Sequence, residues 1–228
     1  MTKRLPHIIL FLFCLISIPA SAQLGEQRKN FAIGINAGMS FNKVTFNPRI
    51  KESNLTGING GITARYISEK YFAMICGIQA ELNFAQRGWK EVIEDGTGNT
   101  YHRTMNYVEL PLLAHLAFGR ERGLRFFLNL GPQIAFFISD SETMGGGEWD
   151  TQYRYSAQYG KNVDNKFDYG ITGGGGLELR TKAGNFLAEG RYYFGLSDIF
   201  GNTKKDPFGR SAHTVISAKL TYLFDIRK

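Results

Sequence analysis

The sequence predicts an all-β fold, an eight-stranded antiparallel up-and-down transmembrane β-barrel. Eight segments alternate with a period of two between apolar residues and small or polar ones, which indicates β-strands with two different faces. Short and long connections alternate between these segments, and aromatic residues recur at one end of the apolar faces. These three observations place the apolar face against lipid.

The N-terminal segment, residues 1–22, has the pattern of a secretory signal peptide. Lys3 and Arg4 precede an apolar run, Ile8 to Ile18, and Ala20-Ser21-Ala22 supplies a small-residue cleavage site. The apolar run is shorter than a helix needs to span a bilayer. We therefore expect cleavage after Ala22, which leaves 23–228 as a single barrel domain.

The first four predicted strands differ in how polar their second face is. Residues 30–41 ("NFAIGINAGMSF") and 58–66 set an apolar face against Gly, Asn, Ser, Thr and Arg. In residues 72–89 ("FAMICGIQAELNFAQRGW"), one face is apolar from Phe72 onwards, and the opposite face becomes polar along the strand. Residues 107–118 follow the same pattern around Pro111, which predicts a local bulge because proline lacks the N–H that pairs strands.

The last four predicted strands are 124–136, 167–179, 186–194 and 216–224, each with one apolar parity, which glycines interrupt in 167–179. The glycine run 173–176 lacks the Lys-Ser/Thr of a phosphate-binding loop and is not followed by a helix. These glycines are therefore interpreted as making room for a bulky neighbour on a strand or as allowing a bend.

The connections alternate in length. The short ones are predicted at 68–70, 119–123 and 182–184, and the long ones at 42–57, 90–101, 139–166 and 197–211. An even number of strands with short periplasmic turns and long extracellular loops is typical of barrels in the Gram-negative outer membrane. The chain is therefore expected to be integral to the cell outer membrane.

The aromatic residues at the short-turn end predict a membrane-interface girdle. They share the parity of the apolar face on their own strands: Phe31, Tyr66, Phe72, Phe118, Phe126, Phe186, Tyr222 and Phe224. Large rings at one height around a barrel mark a membrane interface. The alternative, a secreted soluble barrel or sandwich, explains the alternation but not the girdle, the strand lengths or the turn asymmetry.

The opposite parity predicts a polar network inside the barrel. Its charged members are Arg65, Glu81, Glu109, Glu178, Arg180, Glu189, Arg191 and Lys219. Eight strands leave an interior that side chains can fill, so this balanced set should pair as a plug. Glu81 is expected to pair with Arg65, Arg180 or Arg191. A narrow polar conduit, or a proton or ion path, is the alternative.

Composition limits the chemistry. Cleavage of the signal removes two of 27 basic residues, leaving 27 − 2 = 25 against 20 acidic ones, or +5. Cys76 then has no cysteine partner, so no disulfide framework is predicted. No cofactor, no metal site and no nucleic-acid module is predicted. The basic excess, including Lys204 and Lys205, can meet anionic headgroups of outer-membrane lipid.

The third long loop is the most distinctive external segment. Trp149, Tyr153 and Tyr155 are candidates for binding a protein or a glycan, because exposed loop aromatics often serve contacts. The alternative is that Tyr153 and Tyr155 extend the hairpin above the membrane. Envelope or secretion proteins are candidate partners, and the oligomeric state is left open.

Several blocks resemble one known family. "IQAELNFAQRGW", "NYVELPLLAHLAF" and "LNLGPQIAFF" look like successive blocks of the PorT-type outer-membrane β-barrel domain, and "KFDYGITGGGGLEL" and "EGRYYFGLSDI" resemble its later strands. The resemblance implies a small outer-membrane barrel of a Gram-negative cell. It does not imply one activity, because a fold does not fix a function.

Three functions are compatible with this sequence. The first is a non-enzymatic integral membrane protein whose loops serve interaction, adhesion or envelope assembly and secretion. The second is a rim-active lipid-modifying enzyme that uses a rim serine or histidine. Ser139, Ser141 and Ser211 are available, and the fold could bring His102 and His213 to the same rim, although no nucleophile–base–orienter set stands out. The third is a narrow transport conduit.

Overall fold

The computed structural model describes residues 26–120, 122–147, 149 and 155–227. The predicted signal peptide and Tyr153 lie outside the described residues. No helix in the described part of the chain is both long enough and apolar enough to cross a membrane.

The strands form one antiparallel sheet that closes on itself. Their bounds are β1 (Glu26–Asn47), β2 (Glu52–Ser53), β3 (Leu55–Tyr71), β4 (Met74–Glu91), β5 (Thr100–Gly119), β6 (Gly123–Gly145), β7 (Phe167–Arg180), β8 (Asn185–Gly195) and β9 (Arg210–Arg227). Each long strand pairs with the next, and β9 pairs with β1, so the ring has no open edge. The two-residue β2 lies beside the end of β4. The predicted eight-stranded barrel is confirmed.

Several strands extend far into the predicted long loops. β1 continues to Asn47, β5 already begins at Thr100, and β6 continues to Gly145. The ladder between β5 and β6 is hydrogen-bonded along this whole extension, with one bulge between Asn106 and Tyr107. The barrel wall therefore rises well above the apolar zone.

The first short turn lies later than predicted. Glu69 and Lys70 still pair with β4, after a bulge that follows Ile67. The turn is made by Phe72 and Ala73, and Phe72 is fully exposed with a φ of 50°. The expectation that Phe72 begins a strand face was wrong, because polar residues below the apolar zone continue the ladder instead of ending it.

The two faces of the wall have the expected polarity between the aromatic ends of the strands. Ile35 is 66% exposed and Leu220 is 69% exposed, whereas Asn36 between the outward residues of β1 is buried. Phe41 lies ten positions after Phe31 on β1. At about 3.3 Å per residue and a tilt of about 40°, this is about 25 Å, the height of the apolar band in outer-membrane barrels.

Glycines in β7 let its backbone lie close to the neighbouring strand β8. A Cβ on Gly176 would lie 2.0 Å from the carbonyl oxygen of Ala188, and one on Gly174 would lie 2.3 Å from that of Gly190. Any larger residue would push β8 away, so the glycine run serves strand packing.

Candidate functional site

Three ion-paired groups fill the barrel interior at successive heights. The lowest is centred on Glu178, which is fully buried. Its carboxylate accepts hydrogen bonds from Arg65 at 2.8 Å and from two nitrogens of Arg125 at 2.7 and 2.9 Å. His115 lies beside this group and shares a 2.8 Å hydrogen bond with Asn129.

The middle group contains the predicted residue Glu81. Arg191 donates two hydrogen bonds to its carboxylate at 2.8 and 3.0 Å, and Lys219 donates a third at 2.7 Å. Arg191 also donates to Glu189 at 2.7 Å. Two acids and two bases therefore balance inside the wall, and the partner of Glu81 among the three predicted arginines is Arg191.

The upper group is centred on Arg87, which the predicted network did not include. Its guanidinium donates to Glu109 at 2.7 Å and to Asp168 at 2.5 Å. The rings of Tyr107 and Tyr193 lie 5.0 and 4.5 Å from it, at cation–π distance. Arg87 has the parity of Glu81 on the same strand, which is the signal that could have found it.

Arg180 is the one predicted network residue that lies elsewhere. It ends β7 at the periplasmic mouth and donates to Asp225 at 3.3 Å, so its expected middle depth was wrong. Chain position within the strand decides depth, and Arg180 lies only four residues before Gly184 of the short turn.

A small cavity remains between the middle and upper groups. Its volume is about 30 Å³, and Arg87, Glu109, Arg191 and Lys219 line it. One water needs roughly 10–15 Å³ of such volume, so the cavity admits two or three waters and no larger solute.

Apolar side chains close the interior below and above the ion-paired groups. The periplasmic cluster consists of Ala32, Ile67, Ile75, Ala117, Phe127, Leu187 and Leu223. The extracellular cluster consists of Val44, Phe46, Trp89, Tyr101, Met105, Tyr107, Ala135, Ile199, Phe200 and Phe208. The charged middle is thus enclosed by two apolar layers, of which the upper is the larger and the more aromatic.

The extracellular cluster exists because the polarity of the wall inverts along some strands, as β1 and β4 show. On β1 the apolar residues have odd numbers up to Phe41, and then Val44 and Phe46 point inward. On β4 the switch lies between Phe84, which is exposed, and Trp89, which is fully buried. Above the membrane the barrel is therefore built like a water-soluble protein, with its apolar side chains inside.

Aromatic residues mark both edges of the lipid-facing zone. The predicted girdle residues lie at the short-turn end, where Phe31 pairs with Tyr66, Phe118 with Phe126, and Phe186 with Tyr222. A second set, not singled out from the sequence, is exposed at the loop end: Phe41, Phe84, Phe136, Phe167, Tyr169, Tyr192 and Phe194.

The long loops fold over the extracellular cluster and form a cap, residues 48–54, 92–99, 155–166 and 196–209. Glu91 at the end of β4 accepts hydrogen bonds from Gln158 at 2.8 Å and Tyr159 at 2.7 Å. Arg103 donates to the carbonyl oxygen of Lys161 at 2.7 Å. Asp164 accepts from the backbone N–H of Gly201 at 2.7 Å, which joins the third long loop to the fourth.

The candidate loop aromatics take different places in this cap. Trp149 is half-buried with its ring 5.6 Å from that of Tyr159. Tyr155 is 41% exposed and donates its hydroxyl to the carbonyl oxygen of Pro207 at 2.7 Å. Tyr155 also lines an open cavity of about 340 Å³ on the cap, hereafter the cap cavity. Its other lining residues are Arg49, Ile50, Lys51, Glu91, Val92, Ile93, Glu94 and Asp95.

The serine and histidine groups of the enzyme alternative do not converge. His213 is buried and lies 3.1 Å from the hydroxyl of Tyr107, and Ser211 accepts from the backbone N–H of Phe200. Ser139 accepts from the amide of Asn106 on the wall. His102 has the outward parity of β5, away from the buried His213.

Solved structures similar to this chain include small outer-membrane proteins. Neisserial surface protein A is 12% identical, with a TM-score of 0.40 over 85% of this chain and 97% of that one. OprG from Pseudomonas aeruginosa is 11% identical, with a TM-score of 0.46 over 88% and 98%. Ail of Yersinia pestis, in complex with the heparin analogue sucrose octasulfate, is 14% identical, with a TM-score of 0.38 over 86% and 100%.

No curated protein matches this sequence. The family model described as outer membrane protein beta-barrel domain matches residues 21–201, which is most of the chain. The narrower PorT-type assignment stays a prediction. The chain belongs to the outer membrane protein beta-barrel domain family and is an integral protein of the Gram-negative outer membrane.

Proposed function

We propose that this chain is a non-enzymatic outer-membrane protein whose extracellular cap binds a partner, in adhesion, envelope assembly or secretion. The observation that carries the proposal is the contrast between the filled barrel interior and the open cap. Ion pairs and apolar clusters fill the interior, whereas the cap offers an open cavity with exposed side chains.

The chemistry of the cap cavity suits a protein or a glycan. Ile50, Val92 and Ile93 supply apolar contact area, and Tyr155 supplies an aromatic ring with a polar tip. Bases and acids occur together around it, including Lys51 and Glu94, so the cavity has no dominant charge that would select a simple ion.

Site-specific photo-cross-linking in intact cells tests this proposal. A photoreactive residue at position 155 or 93 is expected to yield a discrete cross-linked species, because both positions line the cap cavity. Position 205 is the matched control, since Lys205 is exposed but does not line the cavity. Equal products at all three positions, or none at 155 and 93, would contradict the proposal.

We also propose that residues 1–22 are removed during export and that 23–228 is the mature barrel domain. The basic start, the apolar run and Ala20-Ser21-Ala22 support this boundary. N-terminal sequencing of the purified protein should begin at Gln23, and a retained Met1 would overturn the assignment.

A further inference from the structure

The net charge of the protein is concentrated at its periplasmic end. By chain position, the segments 26–30, 67–74, 119–123, 180–185 and 224–228 contain nine basic and four acidic residues. The rest of residues 23–228 then contains 25 − 9 = 16 basic and 20 − 4 = 16 acidic residues. The excess of +5 therefore belongs to this end, and the wall and the cap together are neutral.

Part of this charge lines a cavity of about 200 Å³ at the periplasmic mouth, hereafter the vestibule. Its lining residues are Arg28, Asn30, Arg122, Arg180, Thr181, Lys182 and Asp225. They come from β1, from the end of β7, from β9 and from the two short turns that follow β5 and β7. The vestibule is thus lined by four cationic side chains and one carboxylate.

That carboxylate is already engaged by the wall. One oxygen of Asp225 accepts from Arg180 at 3.3 Å, and the other accepts from the amide of Asn185 at 2.8 Å. Arg122 and Lys182 are exposed, and neither forms an ion pair with any residue that the structure describes. The field at the mouth is therefore positive, and two of its sources remain available to a ligand.

The apolar roof of the vestibule strengthens this field. The periplasmic cluster closes the barrel directly above it, with Leu223 next but one to Asp225 along β9. Charges near a low-dielectric wall interact more strongly than charges in open water, because less solvent screens them. A volume of about 200 Å³ is also many times the roughly 10–15 Å³ that admits one water.

We propose that the vestibule binds a phosphate-type oxyanion from the periplasmic side. Arginine forks match the oxygens of phosphate in pairs, and Lys182 adds a point charge. The phosphate can come from a free solute or from an anionic phospholipid headgroup of the inner leaflet, since the mouth lies next to the lower aromatic girdle. This site is at the opposite end from the cap cavity, so it is independent of the proposed function.

The test uses the full protein, purified in a zwitterionic detergent at low salt. Titration with inorganic phosphate, followed by phosphorus NMR, is expected to saturate. The double variant Arg122→Gln with Lys182→Gln should weaken this binding at least tenfold, and each single variant severalfold. The matched control replaces Lys204 and Lys205 by Gln in the fourth long loop and should leave binding unchanged. Heat-modifiable gel mobility reports that each variant is folded.

A second arm identifies the source of the phosphate. Mass spectrometry measures how many phosphatidylglycerol molecules co-purify with each protein molecule. Protein reconstituted in phosphatidylcholine nanodiscs serves as the neutral reference. Saturable inorganic phosphate binding that the vestibule variant weakens supports a free solute. Retained phosphatidylglycerol that falls severalfold in the same variant supports a headgroup. Absence of both, or equal effects of the vestibule and loop variants, overturns the proposal.

Discussion

Replacing Glu81 by Gln removes one negative charge from a group that is balanced in the folded barrel. Glu81 and Glu189 face Arg191 and Lys219, and every one of these side chains is buried. In Glu81→Gln, Lys219 loses its carboxylate partner and Arg191 keeps only Glu189. Breaking a buried pair in this way typically costs about 3–5 kcal/mol, because the remaining charge stays desolvated.

The free energy of unfolding is measured by guanidinium titration in detergent, with the fluorescence of the two tryptophans, Trp89 and Trp149, as the signal. The control is Glu94→Gln, whose exposed ion pair with Lys51 should be worth about 0–1 kcal/mol. Adding Lys219→Met to Glu81→Gln restores the charge balance and should recover most of the loss. A loss below 1 kcal/mol for Glu81→Gln, or no recovery in the double variant, would show that this buried ion pair does not stabilise the barrel.

Three further predictions concern the wall and the cap. Burial raises the pKa of Glu52 from 4.5 to about 7, so the folded state holds its proton more tightly. Stability should therefore fall by up to about 3 kcal/mol as pH rises from about 4.5 to 7, and guanidinium titrations at several pH values should find this slope missing in Glu52→Gln. Gly176→Val should prevent the heat-modifiable gel shift, because its side chain would meet the carbonyl of Ala188, whereas Gly190→Val, with no described atom within 4 Å of its Cβ, should shift normally. Phe200→Ala should lower the free energy of unfolding by roughly 3–5 kcal/mol and expose the loops to protease in intact cells, and an unchanged protease pattern would exclude a core role for this ring.

The number of strands and the polarity of the wall could be predicted from the sequence, because contact with lipid restricts every outward residue. Each outward position between Phe31 and Phe41 must be apolar or small, so the period of two is uninterrupted there. The position of the first turn was less accessible, since Glu69 and Lys70 suit either a turn or a strand that has left the lipid.

The interior was predicted only in part, for a different physical reason. Parity assigns a residue to the inside but not to a height, so Arg180 was placed too deep. The extracellular cluster does not follow from a single parity per strand, because apolar side chains turn inward above the lipid on β1 and β4. The switch from Phe84 to Trp89 is visible in the sequence, and it marks the level at which water replaces lipid.

The central claim is that charged side chains fill the interior and apolar clusters close both of its ends. Recordings of the full protein in planar lipid bilayers test this claim most directly. Folded protein, inserted at many copies per membrane, should produce no stepwise increase in ion current. Regular steps of one size that disappear when the protein is omitted would show an open path through the barrel and contradict the claim.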